Sequence, residues 1–278
     1  MNVHDWLKKA KKTLYNSDTP ELDVQTILSF VIEKSRTWIF AFNETIITEK
    51  QLVYLDKLLM RRLKGEPLAY LIGECEFWSL TLKVIPDTMI PRPDTEIIVL
   101  ESLNYLSNSS DLKVLDLGTG TGAIALAIAS ELPKCNIFGV DYIDTVVKNA
   151  QYNAKKLNIH NATFFLSHWF NNIPSNKFNL IVSNPPYIES DSIYLNYRDI
   201  RFEPISALVS NENGLADLKI IIKNSLDWLK KESWLLLEHG WKQSESVRYI
   251  MSKYGYKNIN TIKDYGGNPR VTLGMSPK

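Results

Sequence analysis

Apolar positions in the first seventy residues recur three and four apart. Leu22, Val24, Ile27, Leu28, Val31 and Ile32 form one such stripe, which is the signature of a helix with one buried face. Thr19, Pro20 and Glu21 precede it and predict an N-cap, a proline at the first helical position and an early acid. A second stripe runs through Leu52, Leu55, Leu58, Leu59 and Leu63. It opens at Thr48 with Gln51 three residues on, a capping box, and Gly65 with Pro67 marks its end. Residues 76–90 alternate instead and predict a β-hairpin, closed by the stiff joint Pro91-Arg92-Pro93-Asp94. Beyond it, short apolar runs alternate with helical patterns. Strands are predicted near 112–117, 136–140, 162–166, 178–182, 233–238, 258–263 and 270–275. Helices are predicted near 94–106, 122–132, 144–157, 215–230 and 243–253. This order predicts an α/β fold whose largely parallel sheet ends in one antiparallel strand. The expected organisation is a helical domain at 1–75, a hairpin linker at 76–90 and an α/β domain at 91–278.

Composition narrows the partners. The chain has 278 residues, 45% hydrophobic and 23% charged, with a net charge of +1. A protein that neutralises many phosphates carries a basic excess, so direct nucleic-acid binding is not expected. No apolar run is long enough to span a membrane and no signal-peptide pattern opens the chain. Cys75 and Cys135 lack a CxxC spacing and are expected to be reduced thiols. His4, His160, His168 and His239 are scattered, so no metal site is predicted. A monomer in the cytoplasm is the expectation.

The first parallel strand ends in "VLDLGTGTGAIALAIA", Val114 to Ala129. Gly118, Thr119, Gly120, Thr121 and Gly122 thus lie between a strand and a helix. Glycine there permits positive φ and close approach of a ligand. Asp141 ends the second strand, about twenty residues on, where an acid can take the hydroxyls of a ribose. The pattern suits a dinucleotide or S-adenosylmethionine, both of which carry adenosine. Asp116 is expected to favour the latter, because it would repel a pyrophosphate and attract a cationic amine and sulfonium. A plain strand-end carboxylate is the ordinary alternative for Asp116.

"SNPPYI", Ser183 to Ile188, follows the strand 178–182. An amide or exocyclic amine is a poor nucleophile whose lone pair is delocalised. It is made reactive by holding both N–H hydrogens so that the lone pair faces the methyl donor. Asn184 offers a side-chain oxygen. Pro185, with φ fixed and ψ restricted by the next proline, offers an aimed carbonyl. Pro186 completes the stiff corner, and the Tyr187 ring is expected to close over a flat group. A cis-proline turn with a packing tyrosine is the ordinary reading.

The order "DLGTGTG", "VD", "NPPY" resembles the class I S-adenosylmethionine-dependent methyltransferases. The strings "GEPLAYLIGECEFWSLTLKV", "IPRPDTE", "IRFEPISALV" and "LLLEHGW" resemble, more narrowly, the peptide chain release factor N5-glutamine methyltransferases of the HemK/PrmC type. The resemblance covers nearly the whole chain. It implies a Rossmann-like seven-stranded sheet with a small N-terminal helical domain that recognises the substrate. It implies S-adenosylmethionine as methyl donor, with S-adenosylhomocysteine as product. It implies a class 1 release factor as protein substrate, methylated on the glutamine of its Gly-Gly-Gln tip. By matching positions, Gly118 to Gly122, Asp141, Trp169 and Asn184 would hold the cofactor. Asn184, Pro185, Pro186 and Tyr187 would hold the glutamine, with Asn184, Pro185 and Tyr187 catalytic. Trp169 could equally be a core aromatic. One departure is His168, where the family typically has an acid beside the adenine. The rival readings are a DNA or RNA base amino-methyltransferase using the same corner, a nicotinamide oxidoreductase that leaves the corner without a purpose, and a non-catalytic adaptor.

Overall fold

The computed structural model describes residues 1–106, 111–173, 177–197 and 199–277. Five helices open the chain: α1 (Val3–Thr13), α2 (Pro20–Ile32), α3 (Arg36–Ala41), α4 (Glu49–Leu63) and α5 (Leu68–Ile72). The Thr48 hydroxyl and the Gln51 side chain cap α4 reciprocally. Thr19 does not cap α2. Its hydroxyl donates instead to Asp23 at 3.1 Å, because the Asp23 carboxylate is buried and takes the donors within reach. Trp6, Leu14, Leu28, Ile39, Leu55 and Leu58 are among the side chains that bury one core between these helices.

The chain divides into two compact units, and the division is not the contiguous one expected. Met1–Glu74 are joined by Tyr194–Phe202, while Cys75–Ile193 and Glu203–Lys278 form the second unit. The returning segment is held by charge. Arg62 donates to Asp23 at 2.7 Å and to Asp199 at 3.1 Å, and Arg201 donates to the Lys64 carbonyl. Such pairings between positions far apart in sequence leave no periodicity to read.

After the helices comes a two-stranded hairpin, β1 (Glu74–Phe77) and β2 (Leu80–Lys83). Trp78 and Ser79 turn it with left-handed φ of 52° and 59°, the backbone of a tight primed turn. A seven-stranded sheet follows, with helices α6 (Glu96–Tyr105), α7 (Ala123–Glu131) and α8 (Asp144–Lys156) alternating with β3 (Lys113–Leu117), β4 (Asn136–Asp141), β5 (Ala162–Leu166) and β6 (Phe178–Ser183). Two short turns of helix, α9 (Ile205–Leu208) and α10 (Asn211–Gly214), lead to α11 (Ala216–Trp228), β7 (Leu229–Glu238), α12 (Ser244–Lys253), β8 (Lys257–Lys263) and β9 (Pro269–Met275). Strand order is β5-β4-β3-β6-β7-β9-β8. The pairs from β5 to β7 are parallel, and β9 runs antiparallel to both neighbours. β7 starts four residues earlier than its apolar run predicts. A left-handed Glu232 and a register shift opposite Phe178 and Leu180 carry it through the polar stretch.

Strand alternation assigns each side chain to a face. Val114 packs beneath α6 and α7, whereas Leu115 and Leu117 pack beneath α11 and α12. Helix α7 is buried along Ala123–Ala129, which explains its small-residue sequence. Among the described residues no helix is long and apolar enough to cross a membrane, and neither cysteine forms a disulfide.

Gly122 shows how tightly the loop is seated. Its φ is +84°, and a β-carbon there would sit 3.0 Å from Leu126 Cδ1 and 3.2 Å from Phe164 Cζ. Gly122→Ala should therefore destabilise the protein by about 2–3 kcal/mol, combining left-handed strain with overpacking. Urea unfolding measures this, and an unchanged midpoint would contradict the packing argument.

Candidate active site

β3 pairs with β4 on one side and β6 on the other, so the chain leaves its tip toward both halves of the sheet. This is the switch point at which open parallel sheets hold ligands. A cavity of about 220 Å³ opens here.

Gly118, Gly120 and Gly122 all have positive φ, so the loop requires glycine at each. Its amides are largely spoken for. Thr119 N–H donates to Val140 O at 2.9 Å, Gly120 N–H to Asp141 Oδ2 at 3.1 Å, and Gly122 N–H to Thr119 O at 2.8 Å. A pyrophosphate needs those donors free, so the loop fits a cofactor with adenosine and no pyrophosphate. Asp141 is 9% exposed at the tip of β4. Burial pushes its carboxyl up, opposed by the amides of Gly120, Ile143 and Tyr142. It retains acceptor capacity toward the cavity it lines, as a ribose requires.

Trp169 also lines the cavity, with its ring edge 3.5 Å from where a Gly118 β-carbon would lie. Its backbone is left-handed, φ 49°, an uncommon state for a bulky residue. Ser167 secures that conformation: its hydroxyl donates to Trp169 O and accepts from Asn172 N–H, both at 2.9 Å. The indole packs on the core as well, so one side chain belongs to the core and lines the cavity. His168 is exposed, lines the cavity, and meets the Tyr142 ring edge-on at 6.0 Å.

Asp116 is not where the sequence argument put it. It lies on the Val114 face of β3, fully buried, and accepts from Thr119 Oγ1 at 2.7 Å. It does not line the cavity. Its Oδ1 lacks a hydrogen bond of normal geometry. Burial raises its pKa to about 7, against the Thr119 hydroxyl and the Ala125 amide, with the charge of Asp141 adding to the rise. It braces the loop from below instead of attracting a cation.

Ser183 Oγ donates to Leu117 O at 2.7 Å, which sets the next residue, Asn184, beside Gly118. Asn184 and Pro186 line the cavity; Pro185 and Tyr187 do not. Among the described residues no peptide is cis, so the corner is not a cis-proline turn. Asn184 Nδ2 donates to Thr95 Oγ1 at 3.2 Å, and its Oδ1 is buried with no partner. A buried, unsatisfied acceptor on a cavity-lining residue suits an incoming N–H donor. Tyr187 is anchored inward. Its hydroxyl donates to Glu238 Oε1 at 3.2 Å, and its ring packs on the core. Burial and the charge of Glu238 push that hydroxyl well above the usual tyrosine range, so it remains a donor. Its backbone is braced too: N–H to Leu208 O at 3.2 Å, and Gln243 Nε2 to its carbonyl at 3.0 Å.

Sequence reasoning missed Arg92, Thr95, Glu203, Glu238 and Arg270. Arg92 pairs with Glu203, which also accepts from Ile90 N–H at 3.1 Å. Arg270 lies 2.9 Å from Asp264 and 3.7 Å from Asp94. For the first four the signal was present in "IPRPDTE", "IRFEP" and "LLLEHGW", which carried the resemblance while receiving no roles; Arg270 lies in none of these strings.

A parallel sheet with this loop and corner at its switch point defines a class I S-adenosylmethionine-dependent methyltransferase. Residues 108–267 match the family model described as "Methyltransferase domain", and residues 5–73 match "PrmC N-terminal domain". The chain is 49% identical over 274 residues to the release factor glutamine methyltransferase of Buchnera aphidicola subsp. Acyrthosiphon pisum, covering 99% of this chain and 98% of that one. It is 47% identical over 274 residues to that of Escherichia coli K12, covering 99% of each. A methyltransferase from Pyrococcus furiosus shares the fold alone, with TM-score 0.56 at 16% identity over 80% of this chain and all of that one. The chain belongs to the release factor glutamine methyltransferase family.

Asp116 yields a stability test. Its folded pKa, about 7, lies above the ordinary 3.8. Its contribution is therefore complete below about 3.8 and is lost as pH rises through 7. Asp116→Asn keeps an acceptor for Thr119 and cannot ionise. Its stability relative to wild type should rise by on the order of 2 kcal/mol from pH 5 to pH 8. Urea unfolding at the two pH values reads the gap, and an equal gap at both would refute the assignment.

Proposed function

We propose that the protein methylates the side-chain amide nitrogen of the glutamine in the Gly-Gly-Gln tip of class 1 peptide chain release factors. The observation that carries this reading is the buried, unpartnered Oδ1 of Asn184, a residue that lines the same cavity as the glycine loop. S-adenosylmethionine bound there supplies an electrophilic methyl group. The loop and Asp141 hold the adenosine, Trp169 flanks it, and His168 takes the adenine edge with Tyr142 beside it. Asn184 Oδ1 and the Pro185 carbonyl accept the two amide hydrogens, which turns the nitrogen lone pair toward the methyl group. Tyr187 and Pro186 confine the flat amide. Its hydroxyl tether gives Tyr187 a fixed position from which to do so.

A glutamine side chain offers little binding energy by itself, so its selection draws on remote contacts. The helical unit, residues 1–75 in the sequence division, is proposed to make them. It exposes a disproportionate share of large apolar side chains, Tyr15, Phe40, Phe42, Ile46 and Val53 among them. A cytoplasmic monomer suits this partner.

Two substitutions test the roles. Asn184→Ala should lower the methylation rate ~10²–10³-fold with cofactor affinity nearly unchanged, because the contact acts on the acceptor during transfer. Equal losses in both would sink that role. His168→Ala should weaken S-adenosylmethionine binding about fivefold, one hydrogen bond's worth, as read by calorimetry; undiminished affinity would remove His168 from the site. Mass spectrometry of the Gly-Gly-Gln peptide after reaction with an intact release factor tests the substrate. An unmodified glutamine alongside methylated adenine in DNA would favour the base methyltransferase.

A further inference from the structure

Thr95 lines the cavity beside Asn184 and Glu238 lies outside it; the reading above gives neither a role. Both are buried, at 3% and 2% exposure. Thr95 sits on the turn Pro93–Thr95 ahead of α6, and Glu238 ends β7. At so little exposure their hydrogen bonds are made chiefly within the protein.

The side-chain amide of Asn184 has two faces of opposite polarity. Only one of them suits an acceptor role, and the neighbours decide which is presented. Thr95 Oγ1 lies 3.2 Å from Asn184 Nδ2. A hydroxyl has one hydrogen. If Thr95 gave it to Asn184, the amide would turn and present its NH2 to the cavity, opposing the incoming N–H. If Thr95 gives it elsewhere, its oxygen accepts from Nδ2 and Oδ1 is left facing the acceptor. The Thr95 hydroxyl is near enough to Glu238 to favour the ionised carboxyl. Glu238 Oε1 accepts from Tyr187 at 3.2 Å, and its Oε2 has no hydrogen bond of normal geometry, which leaves acceptor capacity in hand.

We propose that Glu238 is a positioning residue: by accepting from Thr95 and from Tyr187 it fixes the polarity of the Asn184 amide and the place of the tyrosine ring together. The proposal rests on the reading of Asn184 as an acceptor. It gives one buried carboxylate control of both side chains of the corner, across three separate segments of the chain.

Ionisation follows from the same geometry. Burial raises the Glu238 pKa to about 7, opposed by the Thr95 hydroxyl, by Arg270 on β9 and by the Tyr187 hydroxyl, while Asp94 adds to the rise. His239, next along the chain, is kept neutral near neutrality, since burial lowers its pKa to about 4. Protonated Glu238 becomes a donor, competes for the Thr95 oxygen and frees the Thr95 hydrogen to turn the amide. The rate should therefore rise with pH through about 7 and reach a plateau above it.

The experiment uses the full-length protein, S-adenosylmethionine and a Gly-Gly-Gln peptide, with kcat, KM and pH profiles for wild type, Thr95→Val, Thr95→Ser and Glu238→Gln. Thr95→Val should lose about 100-fold in kcat, as a misaligned reactive group does, with cofactor affinity by calorimetry within twofold of wild type. Thr95→Ser should recover most of the loss, since it restores the hydroxyl. In Glu238→Gln the neutral amide can donate to Thr95, so kcat should be low and flat from pH 6 to 8 where wild type rises. A Thr95→Val enzyme within threefold of wild type would overturn the proposal. So would a Glu238→Gln profile that keeps the wild-type pH dependence, which would place the titration at Asp116. If wild type methylates adenine and not glutamine, the substrate reading fails by itself. The same variants then test the corner on adenine, whose amino group needs the same acceptor.

Discussion

The site depends on the placement of β3 between β4 and β6. Parallel pairing on both sides brings the tips of adjacent strands to one edge, and every functional segment leaves from those tips. The glycine loop follows β3, Asp141 ends β4, Ser167 to Trp169 follow β5, and Asn184 follows β6. Leu117 is paired with Ser183 in register and bonded by its hydroxyl. A slip of one residue in β6 would turn Asn184 away from Gly118 and exchange the side chains packed under the two helical layers. Core packing and site geometry thus enforce the same register.

Around that edge the protein spends carboxylates as braces. Asp116 holds Thr119 beneath the loop, Asp141 holds Gly120 at the tip, Glu203 ties Arg92 to the Ile90 amide, and Glu238 holds Tyr187. Acceptors of this kind are strong and directional when they meet N–H or O–H groups away from water. Burial is costly for their charged forms, and the raised pKa values of Asp116, Asp141 and Glu238 express that cost. Working geometry here is held in place by groups that are themselves poorly solvated, a trade of stability for orientation.

Most strands, the capping box of α4, the glycine loop, Asp141 and the corner were legible because each is a local pattern. Period-two and helical spacing, positive-φ glycines and paired prolines act within a few residues. What stayed hidden was set by distance or by face. Arg92 and Glu203 lie 111 positions apart, and no spacing rule joins them. Asp116 was misjudged because its place in the string suggests the strand tip, whereas alternation turns it under α7 with Val114. Tyr187 was legible as a ring that closes over a flat group but not as one tied inward, since its partner Glu238 ends a strand 51 positions later. Residues 194–202 looked like part of the α/β domain for the same reason: Asp199 pairs with Arg62 on α4 and Arg201 donates to the Lys64 carbonyl just beyond that helix.

That interrupted organisation bears on how the chain matures at the ribosome. Domains ordinarily fold from the N-terminus as they emerge. The helices before Gly65 have their own core and can collapse early, but Arg62 and Asp199 are separated by 137 positions. The first unit therefore waits, with one of its counter-charges missing, until the sheet strands through β6 have been synthesised. Closing so long a loop is entropically modest once the sheet has gathered the intervening chain, because the cost grows only with the logarithm of the free length. The nascent protein is thus finished in an order its sequence does not follow: the first domain to appear is completed only after much of the second.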